Sequence, residues 1–166
     1  INTLDVNINA IIDDLFLLYK NKSKNDKKNI EIIVHKALSN DNAIIRSDGN
    51  RIKQILQNLI NNAFKFTSAG SIQFGYELKG KFLQFFIKDT GIGIDEDLRE
   101  IIFERFRQGS EGTVRKFGGT GLGLSISKGL VELLGGEIWL DTAYSEGSVF
   151  NFTLPYEDRS TFSKVK

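Results

Sequence analysis

The segment from Asp48 to Thr67, DGNRIKQILQNLINNAFKFT, constrains the fold more than any other stretch of this chain. On a helix turning by about 100° per residue, Ile52, Ile55, Leu56, Leu59, Ile60, Ala63 and Phe66 share one side. Gln54, Asn58, Asn61, Asn62 and Lys65 share the other. So broad an apolar side predicts a helix packed on a sheet, with Asp48 as its N-cap and TSAG as its stop. The polar side is unusual, because a solvated helix face normally carries Lys, Glu and Arg, whereas Asn is a poor helix former. Amide oxygens coordinate a hard cation without adding charge, and a lysine meets phosphate as a point charge. Asn58, Asn62 and Lys65 stand at i, i+4 and i+7 and so point the same way. An amide-rich exterior on an asparagine-rich chain would carry the same residues, and the helix alone leaves both readings open.

Two glycine loops bear on the choice. FGGTGLGLSI, from Phe117 to Ile126, runs from closely spaced glycines straight into an apolar segment. Glycine there lets backbone take positive φ or approach a ligand, and the free N–H groups of a helix start attract anions. DTGIGI begins at Asp89, the end of the apolar run FLQFFIK, where a carboxylate is partly buried and needs a donor. The exocyclic amine of adenine is such a donor, with Gly91 and Gly93 letting the base lie against the backbone. Guanine presents a carbonyl at that place and would be rejected.

Around these stretches, apolar spacing predicts a helix over 9–20, a solvated loop in the polar run KNKSKNDKKN that follows, and short strands at IEIIVH and AIIR. SIQFGYEL and KFLQFFIKD flank the turn Lys79-Gly80-Lys81 as a hairpin. DEDLREIIFERF has the acidic first turn and spacing of a helix, RQGSEGTVRKFGG reads as a mobile loop, and 122–134 returns to helix. EIWLDT and SVFNFTLP form a closing strand pair. The sum is an α+β two-layer sandwich: a mixed, mainly antiparallel sheet with helices on one face and the other face open. We expect one domain over 1–157, with 1–22 as linker and first helix and 158–166 as a tail toward a further domain.

Composition narrows the chemistry. The 22 basic and 21 acidic residues leave a net charge of +1, giving no broad footprint for nucleic acid or an anionic membrane. With no cysteine and one histidine, thiolate and zinc sites are excluded, so any metal is a hard cation held by oxygens. No apolar run approaches the ~20 residues of a membrane helix, and a chain without methionine that opens on Ile1 looks cut from a longer polypeptide. Two partial motifs are set aside. DTG occurs once, whereas aspartic proteases need paired carboxylates. GYELKGKF has Phe82 where a phosphate-binding P-loop needs a hydroxyl, and it lies in a hairpin.

In this order, Asp48-x-x-Arg51-x-x-Gln54 leading into NLINNAFKFT, then DTGIGI, IFERF and GGTGLGLSI, resemble the asparagine box, first glycine box, phenylalanine box and second glycine box of the catalytic, ATP-binding domain of sensor histidine kinases. GGEIWLDTAYSEGSVFNFTLP resembles the closing strands, and the likeness runs from about 48 to 155. That family's wider group includes gyrase, Hsp90 and MutL-type ATPases and has the Bergerat-type fold. The resemblance implies ATP and Mg2+ as cofactors, with Asn62 on magnesium, Asn58 beside it and Lys65 on phosphate. Asn58 and Lys65 are then the catalytic residues. It implies that Asp89 reads adenine, helped by Gly91, Gly93 and Ile94, and that Gly119, Thr120, Gly121, Leu122 and Gly123 close on the phosphates. Phe106 and Thr153 complete the implied site. A lid over 107–120 would fold over the triphosphate, its near end anchored by Phe103 and Phe106, which suit core packing equally well.

Related ATPases carry a glutamate one turn before the magnesium-binding asparagine, where this chain has Asn58, which cannot act as a base. The resemblance therefore favours phosphoryl transfer over hydrolysis. The family's acceptor histidine lies on a separate dimerisation domain in a context of the type H-E-x-R-T-P, and His35 in EIIVHKALS is unlike it and reads as a strand residue. The implied partners are that acceptor domain of the same polypeptide and a downstream response regulator, with no nucleic acid and no direct membrane contact. The implied location is cytoplasmic, beneath a sensor that is itself free to be membrane-anchored. A regulatory module that binds nucleotide without transferring phosphate, and a gyrase-type ATPase clamp, are the alternatives.

Overall fold

Strict alternation builds the centre of the sheet. A computed structural model describes residues 1–99, 101–104, 122–141 and 146–158. Ile72, Phe74 and Tyr76 in β4 (Ala69–Lys79) and Leu83, Phe85 and Ile87 in β5 (Phe82–Asp89) are fully buried. The strands pair antiparallel with Tyr76 facing Phe85 and Ile72 facing Asp89. Gly80, at φ +60°, makes the tight turn between them, as the sequence predicts.

β7 (Ser148–Pro155) lies antiparallel on the far side of β5, where Phe152 stacks on Phe85 at 4.6 Å between centroids. β6 (Ile138–Leu140) closes that edge. On the other edge β2 (Asn29–Lys36) runs parallel to β4, a pairing that needs a long crossover, which α2 (Gly49–Phe66) supplies. The sheet order is β2-β4-β5-β7-β6. A separate two-stranded piece pairs β1 (Leu4–Asn7) with β3 (Ile44–Ser47).

The helices lie against the buried face. α1 (Ile8–Asn25) packs on β2, α2 on β4 and β5, and α3 (Leu122–Leu133) against α2, β6 and β7. The result is the expected α+β sandwich with a mixed, mainly antiparallel sheet. Asp48 caps α2 as predicted, its Oδ1 accepting the Arg51 N–H at 3.3 Å.

Three elements differ from the sequence reading. α1 continues to Asn25 through residues expected in a solvated loop. Its buried stripe Ile8, Ile12, Leu15, Tyr19 simply extends to Ser23, whose hydroxyl donates to the Ile30 carbonyl at 2.8 Å and ties the helix end to β2. Over 95–104 the described residues form a short 3-10 turn, Glu96–Leu98, and further hydrogen-bonded turns rather than a regular helix. Asp95 holds the cap position there, but its side chain makes no capping hydrogen bond. β1 carries no alternation strong enough to read, because it is mostly exposed and exists by pairing with β3.

Candidate functional site

α2 delivers its residues to three places. Ile52, Ile55, Leu56, Leu59 and Ile60 are fully buried in the core. Asn61, placed by sequence on the polar side with the other amides, accepts a hydrogen bond from the Tyr19 hydroxyl at 2.8 Å and so belongs to the α1 contact. Burial pushes the Tyr19 hydroxyl up to about 12, so it stays a donor at all ordinary pH. Asn62, Ala63 and Phe66 face a cleft, together with Asp89, Gly93, Ile94, Leu124, Ser148 and Phe150. The cleft opens to solvent, and its cavity volume is about 40 Å³.

Its floor is the Asp89 carboxylate, 4% exposed at the end of β5. The register sets Asp89 opposite Ser148, whose hydroxyl donates to Oδ2 at 2.6 Å, while the Gly91 N–H donates to Oδ1 at 2.9 Å. Burial raises the carboxyl's pKa above the ordinary aspartate value, and the hydrogen bonds from Ser148 and Gly91 oppose that rise. The Ser148 backbone N–H also donates to the carboxylate, which with about four acceptor sites keeps room for one further donor. Apolar walls from Ala63, Phe66, Ile94, Leu124 and Phe150 lead down to it. Phe103 stands edge-on to Phe150 at 5.9 Å and 88°, so it supports the wall from behind.

The loop after Asp89 is held by backbone against backbone. The Ile92 N–H donates to the Phe66 carbonyl at 3.2 Å, and the Thr90 N–H to the Ser71 carbonyl at 3.2 Å. A Cβ on Gly91 would strike the Phe66 carbonyl and stand 2.7 Å from Thr67 Oγ1. Gly93, at φ +76°, leaves only 3.0 Å to the Gly147 carbonyl. The glycines of DTGIGI are therefore required first by the chain's own packing, whereas the sequence suggested only the approach of a base.

At the other end of the cleft the Asn62 amide has no hydrogen-bond partner among the described residues. Asn58, one turn earlier, donates Nδ2 to Ser127 Oγ at 3.3 Å, leaving Oδ1 without a partner there. Two neutral amide oxygens on one helix face fit a hard cation that takes its remaining ligands from phosphate and water. No group of three His, Cys, Asp or Glu among the described residues could hold a metal without them. Lys65 is exposed in the last turn of α2.

Of the other residues singled out by sequence, Gly123 lies in the first turn of α3, its carbonyl accepting from Ser127. Leu122 opens α3, and Phe106, Gly119, Thr120, Gly121 and the expected lid over 107–120 lie outside the described residues. Thr153 is not brought to the cleft. It sits five residues along β7 from Ser148, and its Oγ1 accepts the Glu137 N–H at 3.1 Å in the β6–β7 hairpin. Ser148 and Ser127 were missed. Both had a readable signal, since Ser148 occupies an inward position of β7 in phase with Phe150 and Phe152, and Ser127 shares the buried side of α3 with Val131.

A helix presenting amides, a buried carboxylate between sheet strands and an apolar slot joining them define a nucleotide-binding α+β sandwich. Residues 47–158 match the family of histidine kinase-, DNA gyrase B- and HSP90-like ATPases, and the chain belongs to it. Within that family it is a catalytic domain of the sensor histidine kinase kind. It is 35% identical over 161 residues to the sensor histidine kinase AruS of Pseudomonas aeruginosa, covering 91% of this chain and 15% of that protein. It is 45% identical over 136 residues to the autoinducer 2 sensor kinase/phosphatase LuxQ of Vibrio cholerae, covering 80% of this chain and 16% of LuxQ. The chain thus spans about a sixth of the curated relatives it matches. The catalytic domain of histidine kinase ThkA superposes with a TM-score of 0.78 at 30% identity over 93% of this chain and 98% of that one. ThkA in complex with the response regulator protein TrrA gives 0.74 at 29% identity, over 93% and 42%.

Proposed function

We propose that this chain binds magnesium ATP in the cleft and passes the γ-phosphoryl group to a histidine on a separate dimerisation domain of the same polypeptide. The observation that carries the reading is the buried Asp89 carboxylate, already holding Ser148 and Gly91 and with room for one further donor, at the end of an apolar slot. A planar base with an exocyclic amine satisfies that carboxylate and fills the slot, and a carbonyl in the same place would be repelled. The phosphates then lie toward Asn62, Asn58 and Lys65, where magnesium would supply charge neutralisation. Phosphoryl transfer asks mainly for such positioning and neutralisation from the protein. Position 58 lacks a carboxylate base, which favours transfer to a nucleophile brought by another domain over attack by water. The similarity to kinases, one of them solved with a response regulator, supports a receiver domain as the next phosphate acceptor and a working position on the cytoplasmic side.

Calorimetric titration with ATP and GTP, each with and without magnesium, tests the reading. The expected result is ATP binding strengthened by magnesium with no measurable GTP binding. Equal affinity for both nucleotides would contradict it.

A further inference from the structure

Ser127 is 0% exposed, on the side of α3 that faces α2. Its hydroxyl donates to the Gly123 carbonyl one turn back, at 2.8 Å, and receives the Asn58 side chain at 3.3 Å. A serine hydroxyl has a single proton, and here it is committed to Gly123. Towards Asn58 it can only accept, so only the NH2 end of that amide can meet it. The oxygen end is thereby directed away from α3, on the same helix face as Asn62 one turn later. An asparagine without that partner would be free to turn its NH2 group toward the cleft, and NH2 repels a cation.

We infer that Ser127 is a positioning residue that fixes the orientation of the Asn58 amide and so presents its oxygen to the magnesium–phosphate end of the bound nucleotide. The inference rests on the placing of Asn58 at that end under the proposed function. Serine does here what an outer partner does for a metal ligand, setting the ligand's rotamer before the ion arrives. The same hydroxyl registers the first turn of α3 against α2, because Gly123 and Asn58 share it.

The test is a double-substitution cycle in this chain with Ser127→Ala and Asn58→Ala. It reads the magnesium concentration that half-saturates ATP binding, with adenosine titration as the measure of the base pocket. Loss of one hydrogen bond predicts that Ser127→Ala raises the magnesium requirement about fivefold. Adenosine affinity should stay within about twofold, and the double variant should be no worse than Asn58→Ala alone. Fully additive effects, an equal loss of adenosine affinity, or an unchanged magnesium requirement in Ser127→Ala while Asn58→Ala raises it would each overturn the role of Ser127 alone. A flat response to both substitutions would remove Asn58 from the phosphate end and overturn the parent reading with it. NMR of the unsubstituted, nucleotide-free chain decides independently of any variant. The Asn58 Nδ2 protons are expected to be protected from solvent exchange and to show NOEs to the Ser127 side chain, and unprotected Nδ2 protons without those NOEs would refute the inference.

Discussion

Replacing Asp89 by asparagine removes the charge from a carboxyl that is 4% exposed while keeping its shape. The local network survives the change. Oδ1 still accepts the Gly91 N–H, and the new NH2 group, standing where Oδ2 was, donates to Ser148 Oγ instead of accepting from it. The bound base fares worse. A charge-assisted hydrogen bond to the adenine amine, worth about 1.5–3 kcal/mol, is replaced by two donors facing each other, at a further cost of ~1 kcal/mol. The sum, about 3 kcal/mol, corresponds to a loss on the order of 100-fold in ATP affinity, read by calorimetry. Stability should move the other way. Burial raises the pKa of Asp89, so folding favours its neutral form. That contribution is fully present below the ordinary aspartate value, about 4, and is lost as pH rises through the raised value. Asp89→Asn should therefore melt at or above the parent at pH 7 to 8, and the difference should vanish on acidification toward about pH 4. ATP binding by the parent should weaken as pH falls through the raised value, and the variant's residual binding should be flat. An ATP affinity within threefold of the parent, or a variant melting well below it at neutral pH, would refute the reasoning.

Gly91→Ala must shift the loop or the end of α2, because its Cβ meets the Phe66 carbonyl, so ATP binding and thermal stability should fall together in calorimetry. Gly129→Ala, exposed in α3 with no atom within 4 Å of the added Cβ, should instead gain about 0.5–1 kcal/mol in urea unfolding. Phe85→Ala removes a fully buried ring stacked on Phe152 and should cost about 3–5 kcal/mol in the same assay, with much of the fold lost at 37 °C. Lys28→Met deletes the ammonium that donates to the Phe64 carbonyl at 2.7 Å at the end of α2, and should lower stability by ~1 kcal/mol without changing nucleotide choice.

Much of this was legible in the sequence because the deciding signals are periodic. The apolar stripe of α2 and the alternation in β4 and β5 fix which faces meet, and the cleft then has to lie where α2 ends and β5 stops. Asp89 and Asn62 were readable as polar residues at such places. Asn61 was not, since periodicity puts it with the other amides and only the long-range contact with Tyr19 takes it to α1. Thr153 shows the converse, a hydroxyl in a site-bearing strand whose partner is the hairpin backbone. Ser148 becomes meaningful only once the pairing register sets it beside Asp89, and register is a property of two strands together. The continuation of α1 through a run of lysines and asparagines rests on the tie from Ser23 to β2, which no local propensity encodes.

The transfer itself is the central claim, and one measurement addresses it directly. The chain is mixed with magnesium and γ-labelled ATP and the separately prepared histidine-bearing dimerisation domain of the same polypeptide, and the label on that domain is followed over time. Label that is acid-labile and base-stable, as phosphohistidine is, and that is absent when Asp89→Asn replaces the parent, is the expected result. An unlabelled acceptor in the presence of normal ATP binding, or steady release of free phosphate by the chain alone, would contradict it.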